Sequence, residues 1–180
     1  GYAYDLRLSR TAWAWLPLAV APPLVPVFAW VGTAGTVPGP LLVLVPIGML
    51  AGGGLAVGNA LVDIEADRSV GAPSIAVRLG RREAAALHAV ALVAAVVSAV
   101  ITLPPGGSAV AWAAVAGGAA VLGLGIATTL RATAAGSPGS PGSRGSPGAA
   151  RLAWQTEAVG TAILGIGWTL AFVGSGLGAG

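Results

Sequence analysis

An all-α integral membrane protein, built as a bundle of about five transmembrane helices, is the fold class that this sequence predicts. The chain has 180 residues, of which 56% are hydrophobic and 8% charged, whereas soluble domains carry about 25% charged residues. Its mean hydropathy is +0.85, and several apolar runs approach the roughly 20 residues that cross a bilayer. We therefore expect a single membrane domain over residues 1–180.

Five spanning segments can be drawn from these runs. The first contains several prolines, which membrane helices tolerate when neighbouring helices satisfy the freed carbonyl groups. The fourth contains Gly117, Gly118, Gly123 and Gly125, and such small residues allow close contact between helices. The segments cover about residues 12–31, 41–61, 83–103, 109–130 and 152–173.

The basic residues indicate how the helices are oriented. All nine are arginines, and the connections at 32–40 and 104–108 and the carboxyl tail carry no charge. Because arginine-rich loops stay in the cytoplasm, we expect a multi-pass cell-membrane protein with its acidic motif on the cytoplasmic side. The net charge of +3 then favours contact with anionic membrane lipid over nucleic acid. The arginines are Arg7, Arg10, Arg68, Arg78, Arg81, Arg82, Arg131, Arg144 and Arg151.

Residues 133–150 contain a low-complexity Gly/Ser/Pro stretch between the fourth and fifth segments. Glycine and serine make a chain flexible, and proline forbids helix. The alternative, a glycine loop that cradles phosphate, is disfavoured because the stretch lacks the Lys-Ser/Thr pair and a preceding strand. We predict a flexible cytoplasmic loop without a catalytic role.

The acidic motif after the second segment is the strongest candidate for chemistry. Asn59, Asp63 and Asp67 are spaced by four residues, so at about 3.6 residues per turn they share one face of a helix. Their oxygens are the hard ligands that suit Mg²⁺. On a regular helix Glu65 points elsewhere, and if the helix unwinds there it joins the other acids. The alternative is a solvated acidic loop with no ligand.

Two arginines close behind the motif could grip phosphate oxygens. Arg68 and Arg78 carry guanidinium groups, which bind phosphate in a bidentate manner. Arg81 and Arg82 fit ordinary anchoring at the cytoplasmic surface. Near the amino terminus, phosphate binding and interface anchoring are both open for Tyr4, Arg7 and Arg10.

Other residues carry weaker signals. The chain has no cysteine and one histidine, which excludes thiolate and histidine-cluster metal sites. That histidine, His88, fits helix packing better than catalysis. Glu157 lies about one turn inside the fifth segment, where it is either part of a site or an acid that extends to the interface. The tryptophans suit an aromatic belt near helix ends, although Trp112, Trp154 and Trp168 could instead line an apolar cavity.

These motifs resemble a known family. The pattern Asn-x3-Asp-x-Glu-x-Asp at 59–67, followed by Ser-Ile-Ala-Val-Arg-Leu-Gly at 74–80, resembles the second aspartate-rich motif of the UbiA-type intramembrane prenyltransferases. The opening Tyr-Asp-Leu-Arg-Leu-Ser-Arg-Thr at 4–11 is similar to the tyrosine–basic segment before the fifth helix in that family. Members have nine transmembrane helices, and this chain resembles helices five to nine. The resemblance implies the C-terminal portion of a longer protein, without the first motif, Asn-Asp-x2-Asp-x3-Asp.

The resemblance also implies an activity. It implies a Mg²⁺-dependent enzyme that moves an isoprenyl group from an allylic prenyl diphosphate to an aromatic or other lipophilic acceptor. Asp63 and Asp67 would be catalytic and, with Asn59, would bind the metal. The isoprenoid tail would lie in an apolar groove among the helices. The substrate-binding residues it implies are Asn59, Arg68, Arg78, Tyr4, Arg7 and Arg10.

Two other classes of protein compete with this interpretation. A membrane transporter or scaffold could use the acids to bind a cation, but acids at a helix end beside arginines favour phosphate binding. A CDP-alcohol phosphotransferase would also use acids at a membrane surface. The longer Asp-Gly and Ala-Arg pattern of those enzymes is not present in this sequence.

Overall fold

The computed structural model describes residues 11, 13–135 and 147–176, and over these ranges the chain folds into helices without strands. Five helices are long and apolar enough to cross a membrane, which confirms the predicted fold class. Two short helices lie between the second and third of these, and a 3-10 turn, Gly39–Val43, leads into α2. The helices are α1 (Leu16–Ala34), α2 (Leu44–Val62), α3 (Ile64–Ser69), α4 (Ile75–Leu79), α5 (Arg81–Ile101), α6 (Ala109–Ala135) and α7 (Pro147–Gly174).

Helices α6 and α7 occupy both ends of the segment 133–150, which the sequence predicts to be a loop. Helix α6 continues to Ala135 and α7 begins at Pro147, while residues 136–146 lie outside the described part of the chain. Proline suits the first turn of a helix, where its missing N–H needs no partner. At the other end, Thr133 Oγ1 donates to the Thr129 carbonyl at 2.9 Å, as in an ordinary helical turn.

Glycines on one side of α2 determine how closely α1 packs against it. A Cβ on Gly48 would collide with the Pro23 ring, and a Cβ on Gly52 would collide with the Leu18 carbonyl oxygen. The spacing of four puts both glycines on one face of α2. Helix α1, with Pro22, Pro23 and Pro26 inside it, therefore rests directly on the α2 backbone.

Two further glycines on α2 receive α5. A Cβ on Gly54 would lie 2.9 Å from Leu92 Cγ, and one on Gly58 would lie 2.7 Å from His88 Cε1. These glycines are again four residues apart, on a different face from the pair that meets α1. As a result α2 lies between α1 and α5, and α5 packs against its carboxyl end.

Helices α6 and α7 also meet through glycines. A Cβ on Gly118 would lie 2.5 Å from the Leu164 nitrogen, and one on Gly125 would collide with the Glu157 side chain. A Cβ on Gly117 or Gly123 would meet no neighbouring atom of the described chain within 4 Å, so the predicted contact role was wrong for these two. Gly118 and Gly125 share a face because they are seven residues apart, about two helical turns.

The largest apolar core lies toward the uncharged ends of the helices, and Trp168 and Phe172 are fully buried there. Their rings stack with centroids 6.0 Å apart, and the Trp30 ring meets Phe172 edge-on. Large apolar side chains elsewhere face outward, including Phe28 and Ile101. Apolar side chains on the outside of the bundle are favourable in contact with lipid but not in contact with water.

Candidate functional site

The connection from α2 to α5 builds the site, and Asp63 is where it turns. Asp63 ends α2 with φ −96° and ψ 6°, and α3 begins at the next residue. Ile64 is fully buried against α2 and α5, in a cluster that includes Leu61 and Ala84. This apolar anchor fixes the acidic segment at the end of the bundle.

The chain then folds back over the acids. The Ala72 amide donates to the Asp67 carbonyl at 2.8 Å, which closes the turn after α3. Ser74 caps α4, accepting from the Val77 amide at 3.4 Å. Gly80, at φ +87°, separates α4 from α5, and a side chain would strain the backbone at that positive φ. Together these turns place residues 72–75 beside the acidic face.

A cavity of about 630 Å³ lies between α1, the end of α2 and this connection. It is called the polar cavity here because the acidic motif lines it, although apolar side chains make up most of its wall. Asn59, Asp63 and Asp67 all line it. Although the helix axis changes at Asp63, hydrogen bonds four residues apart continue through it, from the Asp63 amide to the Asn59 carbonyl and from the Asp67 amide to the Asp63 carbonyl. The three predicted ligands therefore face one cavity.

Glu65 does not line that cavity, which is the arrangement expected of a regular helix. Its Oε1 accepts from Arg68 at 3.0 Å and from Arg81 at 2.9 Å. The Arg81 guanidinium, hydrogen-bonded to Glu65, lowers the pKa of that carboxyl below its ordinary value, and Arg68 adds to the effect. The acidic motif is thus divided into two carboxylates at the cavity and one in an exposed ion-pair network.

The residues predicted to bind phosphate differ in where they lie relative to the polar cavity. Arg68 is engaged by Glu65, and neither Arg68 nor Arg78 lines the polar cavity. Arg78 is exposed on α4 and makes no ion pair with any residue that the structure describes. Arg81, assigned above to surface anchoring, also binds Glu65. Tyr4, Arg7 and Arg10 lie outside the described residues.

The donor set fits a magnesium ion that is shared with a ligand. Among the described residues no three His, Cys, Asp or Glu side chains group closely enough to enclose a metal. Two carboxylates and an amide do face the cavity, and neither carboxylate pairs with a described basic residue. Mg²⁺ is usually held by one or two carboxylates, with waters and substrate phosphates as its other ligands.

A second cavity, of about 660 Å³, lies next to the first, between α1, α2 and α7. Its walls are largely apolar and include Ile47, Leu164 and Trp168. The two cavities share three lining residues, Leu18, Pro22 and Trp154. A cavity that carries the acids thus adjoins an apolar one, with a shared boundary formed by residues of α1 and α7.

The tryptophans that could line an apolar cavity behave differently from one another. Trp168 lines the apolar cavity, and Trp154 lines both cavities. Trp112 lines neither cavity and is 47% exposed. Trp154 Nε1 donates to the Leu55 carbonyl at 2.8 Å, which ties α7 to α2 beside the site.

Glu157 does not extend to the interface but is fully buried, opposite the equally buried His88. Glu157 Oε1 lies 3.1 Å from His88 Nε2 and accepts from Thr129 Oγ1 at 2.9 Å. His88 Nδ1 lies 2.8 Å from the Gly54 carbonyl, which can only accept, so Nδ1 carries a hydrogen. Sequence reasoning missed this cluster, although one acid and one histidine inside apolar helices were a signal for it.

The fold and the two cavities define a multi-pass helical membrane protein with an acid-lined cavity beside an apolar one. The model of the UbiA prenyltransferase family matches residues 1–140, and the chain belongs to this family. Membership confirms the resemblance drawn from the acidic motif and supports a prenyltransferase-type function in general. No curated protein and no solved structure was found to match the chain.

Proposed function

We propose that this protein is a Mg²⁺-dependent prenyltransferase, which moves an isoprenyl group from an allylic prenyl diphosphate to an aromatic or other lipophilic acceptor. The observation that carries this proposal is that two cavities adjoin, one lined by Asp63 and Asp67 and the other by apolar side chains. A prenyl diphosphate has the same division, with a charged head and a long apolar tail.

The diphosphate would occupy the polar cavity. Asn59, Asp63 and Asp67 are the residues that would hold Mg²⁺ there. When bound, the metal supplies Lewis-acid stabilisation of the charge on the leaving diphosphate. Arg78, whose guanidinium pairs with no acid among the described residues, would complete the charge balance, as would Arg7 and Arg10, and the Tyr4 hydroxyl would donate a hydrogen bond to the diphosphate. Arg68 would do so only after releasing Glu65.

The isoprenoid tail would occupy the apolar cavity. Its walls from α1, α2 and α7 would pack closely against the tail, the kind of contact that replaces the hydrophobic effect inside a membrane. They would also keep water from a reactive prenyl cation. The acceptor must reach the same junction from the lipid side or from the polar mouth, which favours a lipophilic molecule.

Two carboxylates make up half of the acidic site that the family resemblance implies. We propose that the complete site takes further acids from outside the 180 residues, as part of a longer polypeptide. Functional assays should therefore use the polypeptide as it is naturally produced, in detergent or nanodiscs. The orientation proposed with this function places the polar cavity on the cytoplasmic side of the cell membrane.

Binding of a non-reactive farnesyl thiodiphosphate, with Mg²⁺ or with EDTA, tests the proposal. We expect Mg²⁺-dependent binding that weakens at least tenfold, or about 1.4 kcal/mol, in Asp63→Ala and in Asp67→Ala. Glu65→Gln is the matched control, because it removes a charge from the same motif but outside the cavity. We expect it to bind like the unsubstituted protein.

Other results would point elsewhere. If thiodiphosphate binding does not change with Mg²⁺ or in Asp63→Ala, the proposed site is wrong. Mg²⁺ binding without any affinity for the thiodiphosphate would favour a cation-binding transporter or scaffold.

A further inference from the structure

We infer that Trp154 is a further catalytic residue, whose indole ring stabilises the allylic cation formed when the diphosphate leaves. The inference rests on the proposed function and adds a residue to it that the acidic motif does not contain. In the step concerned, the bond between C1 of the prenyl group and the diphosphate oxygen breaks, and both electrons leave with the oxygen. An electron pair of the acceptor then forms the new bond to C1, and the proton of the acceptor passes to the diphosphate.

The position of Trp154 relative to the two cavities is the first argument. If the diphosphate lies in the polar cavity and the tail in the apolar one, C1 lies where the cavities join. Three residues line both cavities, namely Leu18, Pro22 and Trp154. Of these three, only the tryptophan has a π system, and the electron-rich face of an indole attracts cations more strongly than other aromatic rings do.

The other tryptophans near the site do not meet this condition. Trp15 lines the polar cavity alone, where the diphosphate would be its neighbour. Trp168 lines the apolar cavity alone, where it would contact the tail. Positive charge on an allylic cation is confined to the carbons nearest the broken bond. A ring that reaches the boundary between the cavities is therefore the one placed to interact with it.

The second argument is that the Trp154 ring is fixed before any substrate binds. Its Nε1 donates to the Leu55 carbonyl at 2.8 Å. A Cβ on Gly58 would lie 3.2 Å from Trp154 Cδ1, so the edge of the ring rests against the bare backbone of α2. Groups held in place in advance stabilise a developing charge without the cost of reorganisation.

The test uses tryptophans with one, two and three fluorines, incorporated at position 154 alone. Fluorine withdraws electron density from the ring but keeps its shape and its N–H donor. With donor saturating, we expect the single-turnover rate to fall stepwise with each fluorine, to a total of roughly 30-fold. Affinity for farnesyl thiodiphosphate and the melting temperature should not change, because the packing and the hydrogen bond remain.

The same series at Trp112 is the control, since Trp112 lines neither cavity; it should leave the rate unchanged. Trp154→Phe should retain part of the rate and Trp154→Leu should lose more. A rate that does not respond to fluorine at position 154 would overturn the inference and leave Trp154 a packing role, with the proposed function intact. Unsubstituted protein that neither binds the thiodiphosphate nor transfers a prenyl group would overturn both.

Discussion

His88 and Glu157 show how two isolated polar residues form one buried unit. Each is fully buried, and their contacts reach α2 through the Gly54 carbonyl and α6 through Thr129. The pair is at ion-pair distance without the alignment of a hydrogen bond, and Glu157 Oε2 has no hydrogen-bond partner among the described residues. Polar groups in such a setting are costly unless they remain together.

We therefore expect the effects of removing the two partners to be non-additive. Glu157→Leu leaves the His88 ring without its partner and should lower the free energy of unfolding by roughly 3 kcal/mol. The double variant His88→Leu/Glu157→Leu should be less destabilised than the sum of the two single variants. Unfolding in mixed micelles measures this. Additive effects of the two substitutions would mean that the pair is not coupled.

At the scale of helices, glycine positions decide which faces meet. Helix α2 presents one glycine pair to α1 and another to α5, and α6 presents Gly118 and Gly125 to α7. In a membrane, close packing of this kind replaces the hydrophobic effect as the force that associates helices. Because α1, α2 and α7 also form the cavity walls, the same contacts set the dimensions of the site.

Two adjacent glycines on α6 provide a matched test of this packing. A Cβ on Gly118 would lie 2.8 Å from the Gly160 carbonyl oxygen, whereas a Cβ on Gly117 would meet nothing within 4 Å. Gly118→Ala should therefore destabilise the protein by about 1–3 kcal/mol, as overpacking does. Gly117→Ala should be neutral, or stabilising by up to about 1 kcal/mol through helix propensity.

Thermal unfolding of both variants in the same detergent measures the difference. Equal melting temperatures for the two variants would contradict the close α6–α7 contact. A larger drop in melting temperature for Gly117→Ala than for Gly118→Ala would mean that the face of α6 carrying Gly117 is the packed one.

At the scale of the whole molecule, the ends of the bundle differ in charge. The described arginines lie near the end that holds the polar cavity, and the largest apolar core lies toward the other end. The apolar cavity extends from the charged end into the depth of the bundle, along α2 toward Leu44. A ligand with a charged head and an apolar tail would thus be bound with its head at the arginine-bearing surface.

The absence of cysteine from the sequence makes this orientation easy to test. Ala109 and Ala134 are exposed at opposite ends of α6, and each can be replaced by a single cysteine. A membrane-impermeant maleimide should label Ala109→Cys in intact cells and Ala134→Cys only after permeabilisation. The reverse pattern would contradict the cytoplasmic assignment, and labelling of both from outside would contradict a spanning α6.

The amino-acid sequence by itself determined the class of fold, the five spanning helices and the acidic face. These depend on local properties, namely apolar runs of bilayer length, arginines in alternate loops and a spacing of four between Asn59, Asp63 and Asp67. The direction of Glu65 depended on whether the helix stays regular through Asp63, which the sequence left open. The ends of α6 and α7 were less predictable, because alanine and proline are compatible with both helix and loop.

Only the tertiary structure decided which residues from distant helices meet. The polar and apolar cavities, the boundary role of Trp154 and the contact between His88 and Glu157 all bring α7 against helices that are far from it in sequence. The same holds for Gly118 and Gly117, which are adjacent in sequence but face different surroundings. Such contacts depend on the rotation of each helix about its axis, which close packing of several helices determines together.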